Sequence, residues 1–360
     1  MSLALAPIAW ADPDSPPDIR SVAPDLTVPP VSAGEPGPGR RVRQSLPEYS
    51  RSDVHHLLYL PGDWKKGKQY PVMVDYPGNG RYRNGYGDVS TGEVEDVRLG
   101  YGITGGQGFL WVSMPFVNPA EGRNQITWWG DVDATVDYCI KAVRMVCEEF
   151  GGDPSAVILT GFSRRAIACN AIGLSNDRIA DIWLAFVPYS HYDGVRRWDW
   201  PGSDRESALA RLGRLRGRAS FICHEASIEN TRRYLQQSGV EAPFTFETIP
   251  FRNHNPDWAL RDIPARRHVR RWLRDVLDRR PGTSAVNGRV VDGHGQPVSG
   301  VRIVSGDTHW TLTDPNGRYA LKGLTRLART VSAGVGFEPA AVTVDLRKAD
   351  EGRADFRASP

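Results

Sequence analysis

From about Val54 to Leu277, short apolar runs alternate with segments whose apolar residues recur at helical spacing. The runs His56–Tyr59, Pro71–Tyr76, Phe109–Met114, Ala156–Thr160, Ile182–Val187, Ser220–Cys223 and Phe244–Ile249 are strand-like. Several are apolar at nearly every position, as expected of strands covered on both faces. Asp131–Phe150, Arg164–Leu174, Thr231–Gln237 and Ile263–Leu277 lie between or after them and read as helices. Such alternation predicts an α/β domain: a mainly parallel sheet with right-handed crossovers and flanking helices. The pattern changes after Pro281-Gly282. Between Val286 and Leu346, short alternating strands are broken by Asp292-Gly293, Gly295-Gln296-Pro297 and Asp314-Pro315-Asn316-Gly317, which predicts a small C-terminal β-sandwich. Ahead of the α/β region, Asp12 to about Gly39 is rich in Pro, Gly, Ser and Ala without periodicity and reads as an extended leader. The expected organisation is an export-signal remnant at 1–11, a leader at 12–45, an α/β domain at 46–281 and a β-sandwich at 285–357.

Composition narrows the picture. The 360 residues are 40% hydrophobic and include 11 Trp, 12 Tyr and 11 Phe, enough apolar surface to offset ordering entropy, so the chain folds. Forty-five basic against 42 acidic residues leave +3, too even a balance to point to nucleic acid as a partner. No run approaches the roughly 18 apolar residues of a membrane span. Ala9-Trp10-Ala11 before Asp12 resembles the small-x-small cleavage site of an export signal and implies a secreted or periplasmic protein, although the basic segment that usually opens such a signal is missing. Of the four cysteines, Cys139 and Cys147 lie too far apart on one predicted helix to pair, and Cys169 and Cys223 sit in apolar stretches. No metal-type spacing occurs, so neither metal nor cofactor is expected. The glycines of Gly100–Gly108 precede a strand instead of opening a helix, which excludes a dinucleotide fingerprint. The sequence assigns no oligomeric state.

The chemistry is concentrated at Gly161-Phe162-Ser163-Arg164-Arg165. It follows a buried strand and opens a helix, the setting in which a sharp turn lifts a serine hydroxyl above a sheet. The last position of the G-x-S-x-G pattern is Arg165, where glycine usually allows close packing. Arg165 therefore predicts a distorted elbow, and an Arg165→Gly substitution is expected to preserve or raise activity. A nucleophilic serine needs a histidine base and a carboxylate that fixes the histidine's tautomer, and where the serine sits on a strand-to-helix turn of such an α/β sheet the chain order is Ser, acid, His. His254, in the polar loop Pro250–Trp258 after the last strand, is the expected base. Glu229 is the expected acid, a few residues beyond Ser220–Cys223, with Glu225 and Asp193 as alternatives. Two backbone N–H groups should hold a developing oxyanion: that of Arg164 and that of Asn79, with a neighbouring glycine as the alternative, in the loop Pro77-Gly78-Asn79-Gly80. Aromatic residues crowd the same loops, and Trp128, Trp129, Tyr192 and Trp258 are the expected substrate-binding residues.

These features resemble the α/β-hydrolase fold, nearest its polyhydroxybutyrate depolymerase-like and feruloyl esterase-like esterases, over residues 50 to 280. The resemblance implies hydrolysis of carboxylic esters through an acyl-Ser163 intermediate, with polymeric or plant-derived esters as candidate substrates. A serine peptidase of the same fold and a non-catalytic binding protein on a hydrolase scaffold are the alternatives, the latter because of Arg165. Gly288–Asp292, Gly295–Val301 and Thr313–Leu321 resemble the carboxypeptidase regulatory-like (transthyretin-like) domain, which implies an accessory β-sandwich without catalytic residues.

Overall fold

The computed structural model describes residues 16–279, 284–307, 309–324, 328–346 and 349–359. The export-signal remnant at 1–11 and the Pro281-Gly282 junction lie outside them. Nine strands form the main sheet: β1 (Val31–Ser32), β2 (Arg41–Gln44), β3 (His56–Tyr59), β4 (Tyr70–Tyr76), β5 (Leu110–Ser113), β6 (Gly152–Ser163), β7 (Trp183–Ser190), β8 (Ala219–His224) and β9 (Phe244–Thr248). Their spatial order is β1-β2-β3-β5-β4-β6-β7-β8-β9, and only β3 runs against the others. Alternate residues of the central strands feed opposite cores. Val72, Val74, Val157 and Leu159 pack on one face, while Met73 and Ile158 pack on the other. That two-sided burial is why these strands read as unbroken apolar runs.

The helices begin and end where local chemistry directs. In α1 (Val132–Phe150) the Asp131 side chain accepts from the Ala134 N–H, and left-handed Gly151 ends the helix. Further helices are α2 (Ala168–Ala171), α3 (Arg205–Leu212), α4 (Glu229–Ser238) and α5 (Pro264–Asp278). The helix expected from Arg164 to Leu174 is regular only over α2. Its first turns close through Ala166 N–H to Ser163 O and Ala168 N–H to Arg165 O, the tighter winding common at helix starts.

The expected leader is instead part of the domain. Among residues 16–45, β1 and β2 extend the sheet and Ile19 is buried. Arg261 donates to the Ile19 and Val22 carbonyls at 3.0 and 2.7 Å. Two short strands, β1 at the sheet edge and β2 next to it, take their order from their neighbours, so they leave little periodicity of their own in a Pro- and Gly-rich segment. The C-terminal unit packs two sheets around Val286, Val290, Ile303, Leu321 and Phe356. Asp307 binds Arg144 of α1 at 3.3 Å and Arg178 at 3.1 Å, which ties this unit to the first.

Asp75 on β4 is fully buried and accepts from Gly100 N–H at 2.6 Å and Trp111 Nε1–H at 3.3 Å. Burial pushes its carboxyl up to about 7 despite those bonds. Between the ordinary aspartate value of about 4 and pH 7, the folded chain therefore keeps a proton that the unfolded chain has lost, and this group's contribution to stability falls as pH rises. Asp75→Asn retains an acceptor oxygen without titrating. The melting temperature of the Asn variant relative to the parent should rise as pH is raised from 4 to 7 and then level off; a constant difference would contradict the assignment.

Candidate active site

Ser163 ends β6 at the centre of the sheet with φ +63°. A non-glycine residue in the left-handed region is strained, and such strain marks functional turns. Close packing makes the turn possible. A side chain on Gly161 would meet the Arg165 carbonyl oxygen at 2.6 Å, and one on Gly78 would meet Phe162 at 2.8 Å. The loop after β4 therefore lies directly against the turn. Gly80 N–H is taken by the Ile126 carbonyl at 2.7 Å and is therefore not available to an oxyanion. The Asn79 side-chain oxygen meanwhile accepts from Trp128 N–H at 3.2 Å.

Ser163 Oγ lies 2.7 Å from His254 Nε2, and His254 Nδ1 lies 2.5 Å from Glu225 Oε1. Those partners assign the proton to Nδ1 and leave Nε2 to accept from the serine. Burial acts to raise the Glu225 carboxyl, but the His254 hydrogen bond and the nearby imidazoles hold it well below the usual carboxylate range. Ser163, His254 and Glu225 are all largely shielded from solvent.

The structure puts Glu225, not Glu229, against His254. β8 runs to His224, and Ala226 N–H turns back onto His224 Nδ1 at 3.1 Å, so the first loop carboxylate already faces the imidazole. Glu229 stands in the first turn of α4, paired with Arg232 at 3.3 Å. Asp193 is buried and paired with Arg211 at 2.8 Å. The aromatic expectation also needs correction. Trp258, Trp129 and Tyr192 are buried in the cores, where their flat apolar faces pack best, and only Trp128 is part-exposed, with Arg164 stacked on its ring at 5.0 Å.

Sequence reasoning missed two supports. Ser190 ends β7 in register with Ser163, also left-handed at φ +87°. Its hydroxyl donates to Glu225 Oε1 at 3.0 Å and lies 3.1 Å from His254 Nδ1. Asp88, buried in the hairpin of Tyr82–Arg83 with Val89–Ser90, accepts from His254 N–H at 2.8 Å, Asn253 Nδ2 at 2.9 Å, Asn255 Nδ2 at 2.6 Å and Asn84 Nδ2 at 2.7 Å. Asn253 Oδ1 in turn accepts from Ile19 N–H at 2.7 Å. The Asn253-His254-Asn255 run was the available signal for a carboxylate beneath the histidine loop, but its position was not readable.

Arg165 does not distort the turn. Its side chain leaves the elbow and is fully buried, donating to the Gly92 carbonyl at 2.9 Å, to the Gln125 carbonyl at 3.3 Å and to the Ile126 carbonyl, with the guanidinium 4.7 Å from the Phe116 ring. Burial pushes its pKa down to about 9, so it stays charged at neutral pH. It fastens the chain at Gly92 and at Gln125 and Ile126, and the Ile126 carbonyl also takes Gly80 N–H, while the backbone alone makes the close contact with Gly161.

The main domain has the α/β-hydrolase fold: a mainly parallel sheet covered by helices, with serine, acid and histidine in that chain order at the carboxyl ends of its strands. Residues 285–359 match the carboxypeptidase regulatory-like domain family. No curated protein matches the chain. Among solved structures, a thermostable esterase is similar at 14% identity and a TM-score of 0.42, over 65% of this chain and 62% of the esterase. An acetyl ester-xyloside bifunctional hydrolase from Caldicellulosiruptor lactoaceticus is similar at 15% identity and 0.46, over 68% and 98%. Porphyromonas gingivalis dipeptidyl peptidase 4 is similar at 14% and 0.41, over 62% of this chain and 33% of the peptidase.

Two outcomes follow for substitutions at this site. Glu225→Gln should lower hydrolytic turnover by about 10⁴-fold, the cost of holding the imidazole in the wrong tautomer, while Glu229→Gln leaves it unchanged; the reverse ranking in steady-state kinetics would reassign the acid. Arg165→Gly should cost about 3 kcal/mol or more in urea denaturation, through a cavity and three stranded carbonyls, and should lower activity. An Arg165→Gly protein as stable and active as the parent would show that the guanidinium does not anchor these loops.

Proposed function

We propose that this chain is a serine hydrolase that cleaves carboxylic esters through an acyl-Ser163 intermediate. The observation that carries the reading is the unbroken line from Ser163 Oγ through the His254 imidazole to Glu225, at 2.7 and 2.5 Å. In this mechanism, Ser163 Oγ attacks the ester carbonyl as His254 Nε2 takes its proton. The tetrahedral oxyanion rests on the backbone N–H groups of Asn79 and Arg164. Collapse breaks the carbonyl–alkoxy bond, and the proton on Nε2 passes to the departing alcohol. Water then attacks the acyl carbon with His254 again as base, the acid is released and Ser163 regains its proton. Glu225 stays ionised throughout, opposite the positive charge that appears on the imidazole. Asp88 and Ser190 hold His254 and Glu225 in place. The binding-protein alternative rested on Arg165, whose side chain lies outside the turn.

A fluorophosphonate probe should label the folded protein at Ser163, and p-nitrophenyl acetate should be turned over while peptide p-nitroanilides are not. Ser163→Ala should abolish labelling and lower turnover by about 10⁶-fold, with little change in melting temperature. Absence of labelling in folded parent protein would refute the hydrolase reading, and faster cleavage of the anilides would make the chain a peptidase.

A further inference from the structure

Beside the triad, a cavity of about 580 Å³ opens between β7, α3 and α4, and its lining contains no aspartate or glutamate. Ser190 and His191 form its inner end, and the His191 ring lies 5.5 Å from that of His254. Trp198 joins the cavity to the nucleophile's neighbour: His191 stacks on it at 5.2 Å, and the guanidinium of Arg164 lies 4.9 Å from its ring.

Three arginines from three separate elements face this cavity: Arg196 after β7, Arg205 at the start of α3 and Arg233 on α4. All three are exposed. Arg196 lies on the Trp198 ring at 4.5 Å, and Arg205 reaches only the Gln237 side-chain oxygen, at 3.3 Å, and the Tyr234 ring. Among the described residues, none of the three forms an ion pair. The contrast is local, because the next arginines on the same two helices are neutralised, Arg211 by Asp193 and Arg232 by Glu229. A cavity that gathers unpaired guanidinium groups and excludes carboxylates holds a positive potential that a bound anion would relieve.

We infer that this cavity is a subsite for a carboxylate group carried by the substrate, so that the preferred ester bears a negative charge on its acyl or its alcohol portion. The inference rests on the hydrolase reading and narrows it to a substrate class. Arg196 and Arg233 would bind the carboxylate, and the aromatic and imidazole faces of Trp198 and His191 would cover the apolar segment between that carboxylate and the scissile carbonyl.

The test compares kcat/KM for two matched ester pairs. p-Nitrophenyl hemisuccinate against its methyl-capped diester reads a charge on the acyl side, and 3-acetoxybenzoate against its methyl ester reads a charge on the alcohol side. The parent should favour the charged member of one pair by about ten-fold, mostly through KM, and the preference should shrink at high salt. Arg196→Gln with Arg233→Gln should remove that preference while p-nitrophenyl butyrate turnover is unchanged, and the paired Lys substitutions should restore part of it. Equal rates within both pairs, or a preference that survives the double Gln variant, would overturn the subsite while leaving the hydrolase reading intact. If no ester is turned over and Ser163 takes no fluorophosphonate, both fall together.

Discussion

A serine in the left-handed region at the end of the central strand is the constraint on which this molecule is built. That conformation costs about 1–3 kcal/mol, and the surroundings must over-determine it. They do so from three sides. β4 and β7 flank β6 in register, the Arg165 carbonyl closes on Gly161, and the loop after β4 presses on Phe162 through Gly78. The charged side chain of Arg165 is buried for the same end: it collects the carbonyls of Gly92, Gln125 and Ile126 and so holds the loops surrounding the strained turn.

The second half of the site is held by polar groups, because a loop has no ladder of its own. Asp88 gathers four N–H donors, three of them from Asn253, His254 and Asn255, and so fixes the backbone under the imidazole. Ser190 repeats the left-handed geometry of Ser163 one strand away and donates to Glu225, so the acid is held from two directions. The amino-proximal segment enters the same network through Ile19 and Asn253. Buried polar groups of this kind are costly when unsatisfied and rigid when paired, which keeps the His254 imidazole in one orientation.

Charge is distributed unevenly around this machinery. Ser163, His254 and Glu225 are shielded and the one carboxylate among them is matched by an imidazole, whereas the adjoining cavity gathers three arginines that form no ion pair among the described residues. Shielding strengthens the electrostatics around Ser163 and His254, and the three arginines leave a positive field on the cavity side.

The α/β alternation, the β-sandwich, Ser163 and His254 were all readable in the chain, because each is a local pattern: runs buried on both faces, turn residues at fixed offsets, a serine between a strand and a helix, a polar loop after the last strand. The acid was not. Whether Glu225 or Glu229 meets the imidazole depends on where β8 stops and which way the chain turns, a matter of a few ångströms that spacing does not encode. The leader was misread because two short strands at one end of the sheet borrow their order from partners. Trp129, Tyr192 and Trp258 were misplaced because an aromatic residue looks the same in a core as on a rim. Asp88 and Ser190, 166 and 64 residues from His254, and the gathering of Arg196, Arg205 and Arg233, exist only once distant segments are folded together. Periodicity and turn chemistry act between near neighbours and are written along the sequence; hydrogen bonds and unpaired charges between remote segments are set by packing, and only the tertiary structure decides them.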